Sequence, residues 1–408
     1  MLVKLDSFSH YNTSQITEKW TQIYDGQYAP NAANVTIEDG WGRPGAGAMV
    51  MTCHGITGYD IAGPVGQVVP ASDTYYTGFR FTSEGDGGWA PTLGGRSYYP
   101  WVGANSLNPR GHHHIVQFRY AEAAHLTVVP TTAGCFEFWK GQYMPDEYRV
   151  MLGVADFAAQ WGRTYYFEFG IKISGGAGWV EFRCDGDVWF RFDGNTLYEG
   201  EDDRSDPAQP IPALCHEITY LKKSEGTGSI GIGMSSGDVG RWIMQDLYIA
   251  NGETDDGRSP LVDFWGDHRI DYLAPTADGN YTDWQPSHSG EHYVEVDDNP
   301  NDANVSYNGS WVIGDRDSFD HEPSPVPGVN IDAIQVIYSA RRAMGGPSKT
   351  AAFIRVAGED FDGDDLGNAT SYIFQYEIWE NVTHSGESPV VITESIFNAM
   401  EIGYQKTV

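Results

Sequence analysis

The chain has 408 residues, 40% hydrophobic and 13% aromatic, which is ample for packed cores and rules out a mostly disordered polymer. Lys and Arg number 25 against 56 Asp and Glu, a formal charge of −31, so nucleic-acid binding through phosphate contacts is excluded and anionic lipid is repelled. No stretch approaches the roughly 18–20 apolar residues of a membrane-spanning helix, so no membrane insertion is expected.

The first twenty residues, MLVKLDSFSHYNTSQITEKW, lack the basic start and apolar run of a signal peptide, which predicts assembly in a cytoplasm. Ser14–Trp20 reads as a short helical piece. From residue 74 to 250 the chain alternates with period two, the mark of strands with one packed face and one wet face. Tyr75, Thr77, Phe79 and Phe81 share a face, with Tyr76 and Arg80 on the other.

Residues 87–112 break the alternation. There Trp89, Tyr98, Tyr99 and Trp101 lie among Gly, Pro and Asn, with Arg96, Asn105 and Asn108 nearby. Flat rings on a loop can stack on sugar rings while Arg and Asn bond hydroxyls, although the simpler reading is that they pack on the sandwich or a neighbouring subunit. Trp89, Arg96, Tyr98, Tyr99, Trp101 and Asn105 are therefore the candidate glycan contacts. His112, His113 and His114 could offer two ligands on one strand face, but read more simply as the edge of a strand with Val116, Phe118 and Tyr120.

Tyr165, Phe167, Phe169, Ile171 and Ile173 form a long apolar ridge alternating with Tyr166, Glu168 and Lys172. In GWVEFRCDGDVWFRFDG, two alternating runs meet at Asp185-Gly186, residues that tolerate the positive φ of a type I′ turn, so a hairpin is predicted. Cys184 falls in phase with Val180 and Phe182 and reads as a small core residue. With Cys53, Cys135 and Cys215 it has no CxxC partner, so free thiols are expected, with no zinc or redox site. RWIMQDLYIA adds a strand with Ile243, Leu247 and Ile249 on one face.

A polar run at 251–260 marks a boundary, giving an expected organisation of 1–255 and 261–408. In the second part, Glu295-Val-Asp297-Asp298-Asn299 is a partial match to the E-x-D-x-E strand of retaining glucanases, in which period two brings a nucleophile and an acid/base about 5 Å apart. Its third position is Asn299. HEPSPVPGVN (321–330) reads as a stiff loop before a strand in IDAIQVIYSA. Asp360, Asp362 and Asp364 have calcium-loop spacing, but Asp365 and Ser371 stand where an EF-hand needs Gly and Glu, so a solvated acidic turn is expected. Thr393 can cap a helix over Thr393–Met400. There is no G-x-S-x-G, Walker loop or G-x-G-x-x-G opening a helix.

The strand order across 1–255 is similar to concanavalin A-like sandwiches of the laminin-G and lectin/glucanase type: a long strand at 165–173, the 179–192 hairpin, Ile230–Met234 and a closing strand at 243–249. The fold class expected is all-β, a concanavalin A-like β-sandwich (jelly roll) followed by a second, smaller β-rich domain. The junction reads Asp263-Phe264-Trp265-Gly266-Asp267, Arg269-Ile270-Asp271, Leu273, Pro275, then Ala277-Asp278-Gly279, Tyr281, Trp284, Pro286 and Ser287. Further on come Tyr376, Ile378-Trp379-Glu380, Phe397-Asn398-Ala399, Glu401 and Gly403. This pattern resembles two-part virion structural proteins of tailed bacteriophages. The resemblance implies a non-enzymatic component of the virion, at a tail tip or tail fibre, with head decoration as the alternative. It implies other virion proteins as partners and a homo-oligomer of three or more copies, with no defined chemistry; contact with a host-surface glycan is the expectation that the 87–112 loop adds. No cofactor is expected. A carbohydrate-binding or polysaccharide-degrading protein is the alternative of another class.

Overall fold

The computed structural model describes residues 2–19, 22–23, 35–41, 47–54, 62–70, 74–84, 116–120, 124–130, 136–141, 149–155, 162–172, 174–196, 227–234, 239–252, 263–288, 290–343, 347–380 and 391–408. Antiparallel strands dominate, as the alternation predicts. One sheet runs Asp187–Gly194, Gly178–Cys184, Thr164–Lys172, Thr74–Glu84, Val239–Asn251, Gly47–His54 and Val35–Asp39, with Leu2–Asp6 paired to the second half of Val239–Asn251. A second runs Arg149–Ala155, Phe136–Gly141, Ala124–Pro130, Val116–Tyr120, Thr227–Met234, Ala62–Pro70 and Gln22–Ile23. The two form a sandwich: Phe138 of the second sheet stacks on Phe190 of the first at 4.2 Å and lies 6.1 Å from Phe182.

The inner face is aromatic because the alternation places rings opposite rings. Phe79, Phe81, Phe167, Phe169 and Phe182 are buried and pack through stacked and edge contacts of 5.0–6.4 Å, such as Phe169–Phe182 and Phe79–Phe81. The hairpin turn is as predicted, with Asp185 at φ 51 and Gly186 at φ 87. Cys184 is a free, buried thiol whose pKa burial pushes up to about 12.

One expectation fails on a bulge. Ile243 pairs with Thr82 and Ile249 with Thr77, five residues apart on the neighbouring strand and therefore on opposite faces. Asp246 takes φ 51 and the register shifts between Gln245 and Tyr248, so one extra residue reverses the alternation. Ile243 consequently packs with Ala48, Val50 and Trp41, apart from Leu247 and Ile249.

A third sheet, Pro275–Thr282, Arg316–His321, Glu401–Lys406, Lys349–Val356 and Glu359–Asp362, organises the remainder with three short two-stranded ladders, one of them Ile334–Ala340 with Ile373–Trp379. Its core gathers Ile334, Val336, Ile354, Trp379 and Met400. Thr393 caps the helix Glu394–Phe397 by accepting from the Ile396 N–H, as predicted, and Asn12 caps the 3-10 turn Thr13–Gln15 that leads into the helix Ile16–Lys19.

The outer face of the first sheet departs from the wet face expected of it. Tyr166 and Glu168 are 2% and 1% exposed because the junction segment from Asp263 onward lies over them. Phe264 meets Tyr76 edge-on at 5.1 Å and carries the Arg183 guanidinium 3.9 Å from its centroid. The Glu168 carboxylate accepts from Tyr248 Oη at 2.6 Å and from the Gly266 N–H at 2.7 Å. Arg80 bonds both Asp246 and Asp267, and the Ile270 N–H donates to Asp246. A Cβ at Gly170 would come within 2.5 Å of Phe264, so glycine is what lets the strap approach.

The N-terminal strand is the other fastening. Leu2 N donates to Glu380, and the Gln335 amide brackets Leu5, donating to its carbonyl and accepting from its N–H. Behind it lies a buried polar cluster. Lys19 Nζ sits 3.1 Å from Asp6 and 2.6 Å from His10 Nε2, with Lys4 alongside, Tyr11 bonded to Asp6, and Tyr272 and Phe374 against the imidazole. Burial, then the charges of Lys19 and Lys4, push the His10 pKa well below 6.5. Below that value the unfolded chain binds a proton that the fold refuses, so stability declines with acidification. The melting temperature should therefore fall between about pH 7 and about pH 5, and less steeply in His10→Phe. An equal fall in the variant contradicts this.

Candidate functional site

The candidate glycan contacts at Trp89, Arg96, Tyr98, Tyr99, Trp101 and Asn105 lie outside the described residues, as do His112–His114. Among the described residues no group of three or more His, Cys, Asp or Glu is placed to hold a metal ion.

Asp362, Asp364 and Asp365 are exposed, as a solvated acidic turn predicts, but Asp360 is tied down by the chain's own cations. Asp360 bonds Arg316 at 2.7 Å, Arg355 at 2.5 Å and the Tyr281 hydroxyl at 2.8 Å, while Asp362 bonds Arg316 at 2.9 Å. The strand Glu359–Asp362 places both carboxylates over the third sheet, where two guanidinium groups already balance them. The E-x-D-x-E match also fails in three dimensions. Tyr293–Glu295 is a 3-10 turn, so its carboxylates do not share a strand face.

Glu295 instead joins a constellation that invites a catalytic reading. It accepts from the Ser287 hydroxyl, the His288 N–H at 3.1 Å and the Tyr307 N–H at 3.2 Å, with His288 Nδ1 at 3.1 Å. Against the effect of burial, these hydrogen bonds hold its carboxyl below the ordinary value. A relay needs a histidine bridging serine and acid through its two different ring nitrogens. Here His288 meets both Ser287 and Glu295 through Nδ1, and Ser287 bonds the carboxylate directly. The arrangement holds the turn and moves no proton from serine to an acid-oriented base.

The feature with the shape of a site is a cleft of about 1150 Å³ running along Ile334–Ala340, between that strand, the segment 284–311 and the third sheet. This volume exceeds the roughly 300–1,000 Å³ of a drug-sized pocket. Tyr404 lines it, with Trp284 edge-on at 4.7 Å, Phe319 at 5.7 Å and Tyr338 at 5.9 Å. Burial pushes the Tyr338 and Tyr272 phenols up to about 12, so both present neutral hydroxyls. At the rim, Trp311 is 71% exposed and Tyr307 44%.

Four residues of its lining also carry polar atoms that are sealed from solvent and have no hydrogen-bond partner among the described residues: Asn301 Oδ1 and Nδ2, Asn308 Oδ1, His321 Nε2 and Ser339 Oγ. Each such atom costs about 1–3 kcal/mol unless water or a ligand meets it. Asn308 spends its Nδ2 on the His292 carbonyl and Tyr404 Oη, which fixes Oδ1 as an acceptor facing nothing. His321 Nδ1 donates to the Glu322 carbonyl at 2.7 Å, leaving Nε2 as an acceptor. Sequence reasoning missed this site because its residues come from strands and loops far apart in the chain; a cluster of Trp, Tyr and Asn over 301–311 was the one available signal.

No protein-family model matches the chain, and no curated protein matches it. Solved structures similar to the sandwich include an endo-1,3-beta-glucanase from Streptomyces sioyaensis, with 11% identity over 62% of this chain and 96% of that one and a TM-score of 0.34. The carbohydrate-binding module CBM66 from Bacillus subtilis has 6% identity over 55% and 92%, TM-score 0.26. The CBM2 module of an evolved Dit of Lactobacillus casei BL23 phage J-1 has 12% identity over 50% and 75%, TM-score 0.25. At these scores the likenesses decide nothing about the site.

Proposed function

We propose that the chain is a non-catalytic glycan-binding β-sandwich protein. The observation that carries this reading is the cleft, whose lining mixes aromatic rings with amide and hydroxyl side chains and includes the exposed rings of Trp311 and Tyr307. Rings offer flat apolar faces to the C–H faces of sugars, and amides and hydroxyls bond the sugar hydroxyls. Glycan hydrolysis calls for two carboxylates flanking the bond, and the Glu295-Val-Asp297 match does not set its carboxylates on one strand face, which favours binding.

The resemblance of the junction supports a further part of the proposal: the protein serves in a tailed-phage particle, held by other virion proteins and further copies of itself, and meets host-surface glycan there. The strap role of Phe264, Gly266 and Asp267 accounts for those residues without a particle, so this part stands on the resemblance alone. Peptides of the chain in purified particles would bear it out, and their absence would refute it.

Full-length protein applied to a glycan array should bind a restricted set of oligosaccharides. Trp311→Ser should weaken that binding about tenfold or more, whereas Trp189→Ser, an exposed ring on the sandwich hairpin, should not. No binding to any glycan overturns the reading.

A further inference from the structure

We propose that the cleft takes an acidic glycan, with one oxyanion, a carboxylate or a sulfate ester, seated on Arg341 just past the end of Ile334–Ala340. This rests on the glycan reading and specifies the charge of the ligand and the residue that reads it.

The ion pairs of the chain single out Arg341. Acids outnumber bases 56 to 25, so a carboxylate is the commonest charged neighbour a cation can find. Arg80, Arg163, Arg183, Arg191, Arg316 and Arg355 each have a carboxylate oxygen within 3.5 Å. Arg269, in the cleft lining, has Asp271 at 2.7 Å. Arg341 also lines the cleft and is exposed, yet it has no carboxylate partner among the described residues.

Its guanidinium is nevertheless held in place. The register that pairs Ala340 with Ile373 sets Arg341 opposite Tyr372, and the guanidinium lies over that ring, 5.2 Å from the centroid. The Tyr372 hydroxyl donates to Asn304 Oδ1 at 3.3 Å, and the Arg342 N–H donates to the Ala369 carbonyl at 2.8 Å, so ring and backbone are both tied. An arginine over a ring spends its face and keeps its in-plane fork of N–H donors, which matches two oxygens of a carboxylate or a sulfate. A guanidinium already held in place loses less freedom when the ligand arrives. Arg342 and Lys406 add positive charge at this end. Lys406 Nζ bonds Ser348 at 3.2 Å, and the Ser348 carbonyl accepts from the N–H of Asn368, next to Ala369.

The carboxylates of the cleft limit how much charge the ligand can carry. Glu295, Asp298 and Asp302 line it too. Glu295 is bonded by Ser287 and His288, while Asp298 and Asp302 lie 2.7 and 2.9 Å from the Ser306 hydroxyl, and none of the three pairs with Arg341. A chain charged at every sugar would meet them along 284–311; a chain with a single oxyanion at Arg341 would not. The overall charge of −31 also repels anions, but at physiological salt it is screened beyond about 8 Å, whereas a bidentate contact is screened far less. The local pairing therefore wins.

The test is calorimetric titration of full-length protein with tetrasaccharides of glucose, galactose and mannose, each neutral, with one terminal uronic acid, or with one terminal sulfate. At least one singly charged form should bind about tenfold more tightly than its neutral parent. Arg341→Gln should abolish that preference and leave the melting temperature unchanged, since Arg341 joins no ion pair within the fold. Arg341→Lys keeps the charge without the fork and should retain part of the preference. Tighter binding of the sulfated form than of the uronic acid would name the source of the oxyanion and uphold the contact. A preference that survives Arg341→Gln, or neutral forms that bind as tightly as charged ones, overturns the proposal. Binding of neutral forms alone defeats this inference and leaves the glycan reading intact, whereas no binding of any form defeats both.

Discussion

Asp6→Ala should destabilise the protein by about 3–5 kcal/mol, measured by chemical denaturation of the full chain. Asp6 is 1% exposed, and its carboxylate is bound by the Lys19 ammonium at 3.1 Å, the Tyr11 hydroxyl at 3.0 Å and the Phe8 N–H at 2.8 Å. Removing it leaves the Lys19 charge buried beside Lys4 without that counterion, along with an unmet hydroxyl and amide. Burial already pulls both lysine pKa values below their ordinary level. Because Leu2 and Leu5 on the same strand bond Glu380 and Gln335, the loss should loosen the attachment of the C-terminal sheets to the sandwich. A change below about 1 kcal/mol would mean that the cluster is hydrated and relaxed, and the account of the seam would be wrong.

Glu168→Ala should cost about 2–4 kcal/mol by the same measurement. The substitution deprives the Tyr248 hydroxyl and the Gly266 N–H of their acceptor beneath the strap. Glu168→Gln keeps one oxygen acceptor and should recover part of the loss. If alanine and glutamine behave alike, the strap is held by Phe264 and the Arg80 pairs, and Glu168 is incidental.

These two positions also show what the sequence made legible. Period two alone revealed the inner faces of the sandwich, because Tyr75, Phe79, Phe167 and Phe182 alternate strictly and pack against one another. The hairpin at Asp185-Gly186 was legible for a local reason, two adjacent residues that accept positive φ. Glu168 was misplaced into solvent because alternation tells which residues share a face and is silent on what later covers it. Ile243 was misplaced because a bulge at Asp246 has no signature in an alternating run. The pairing of Asp360 was hidden for a related reason: its partners Arg316 and Arg355 lie on other strands and are invisible to spacing.

The cleft was beyond the sequence for a deeper reason. Its lining is drawn from widely separated segments, such as 284–311 and 329–342, that meet only in the folded chain. The loop at 87–112 carried the glycan expectation from composition alone, while the described part of the molecule points to a different place.

Hydrogen–deuterium exchange of the full chain, free and with a bound oligosaccharide, separates those two places directly. Binding by the cleft predicts slowed exchange in 301–313 and 329–342, with the sandwich little changed. Slowed exchange confined to 87–112, with the cleft unaffected, would return the glycan site to the sandwich loop and contradict the account.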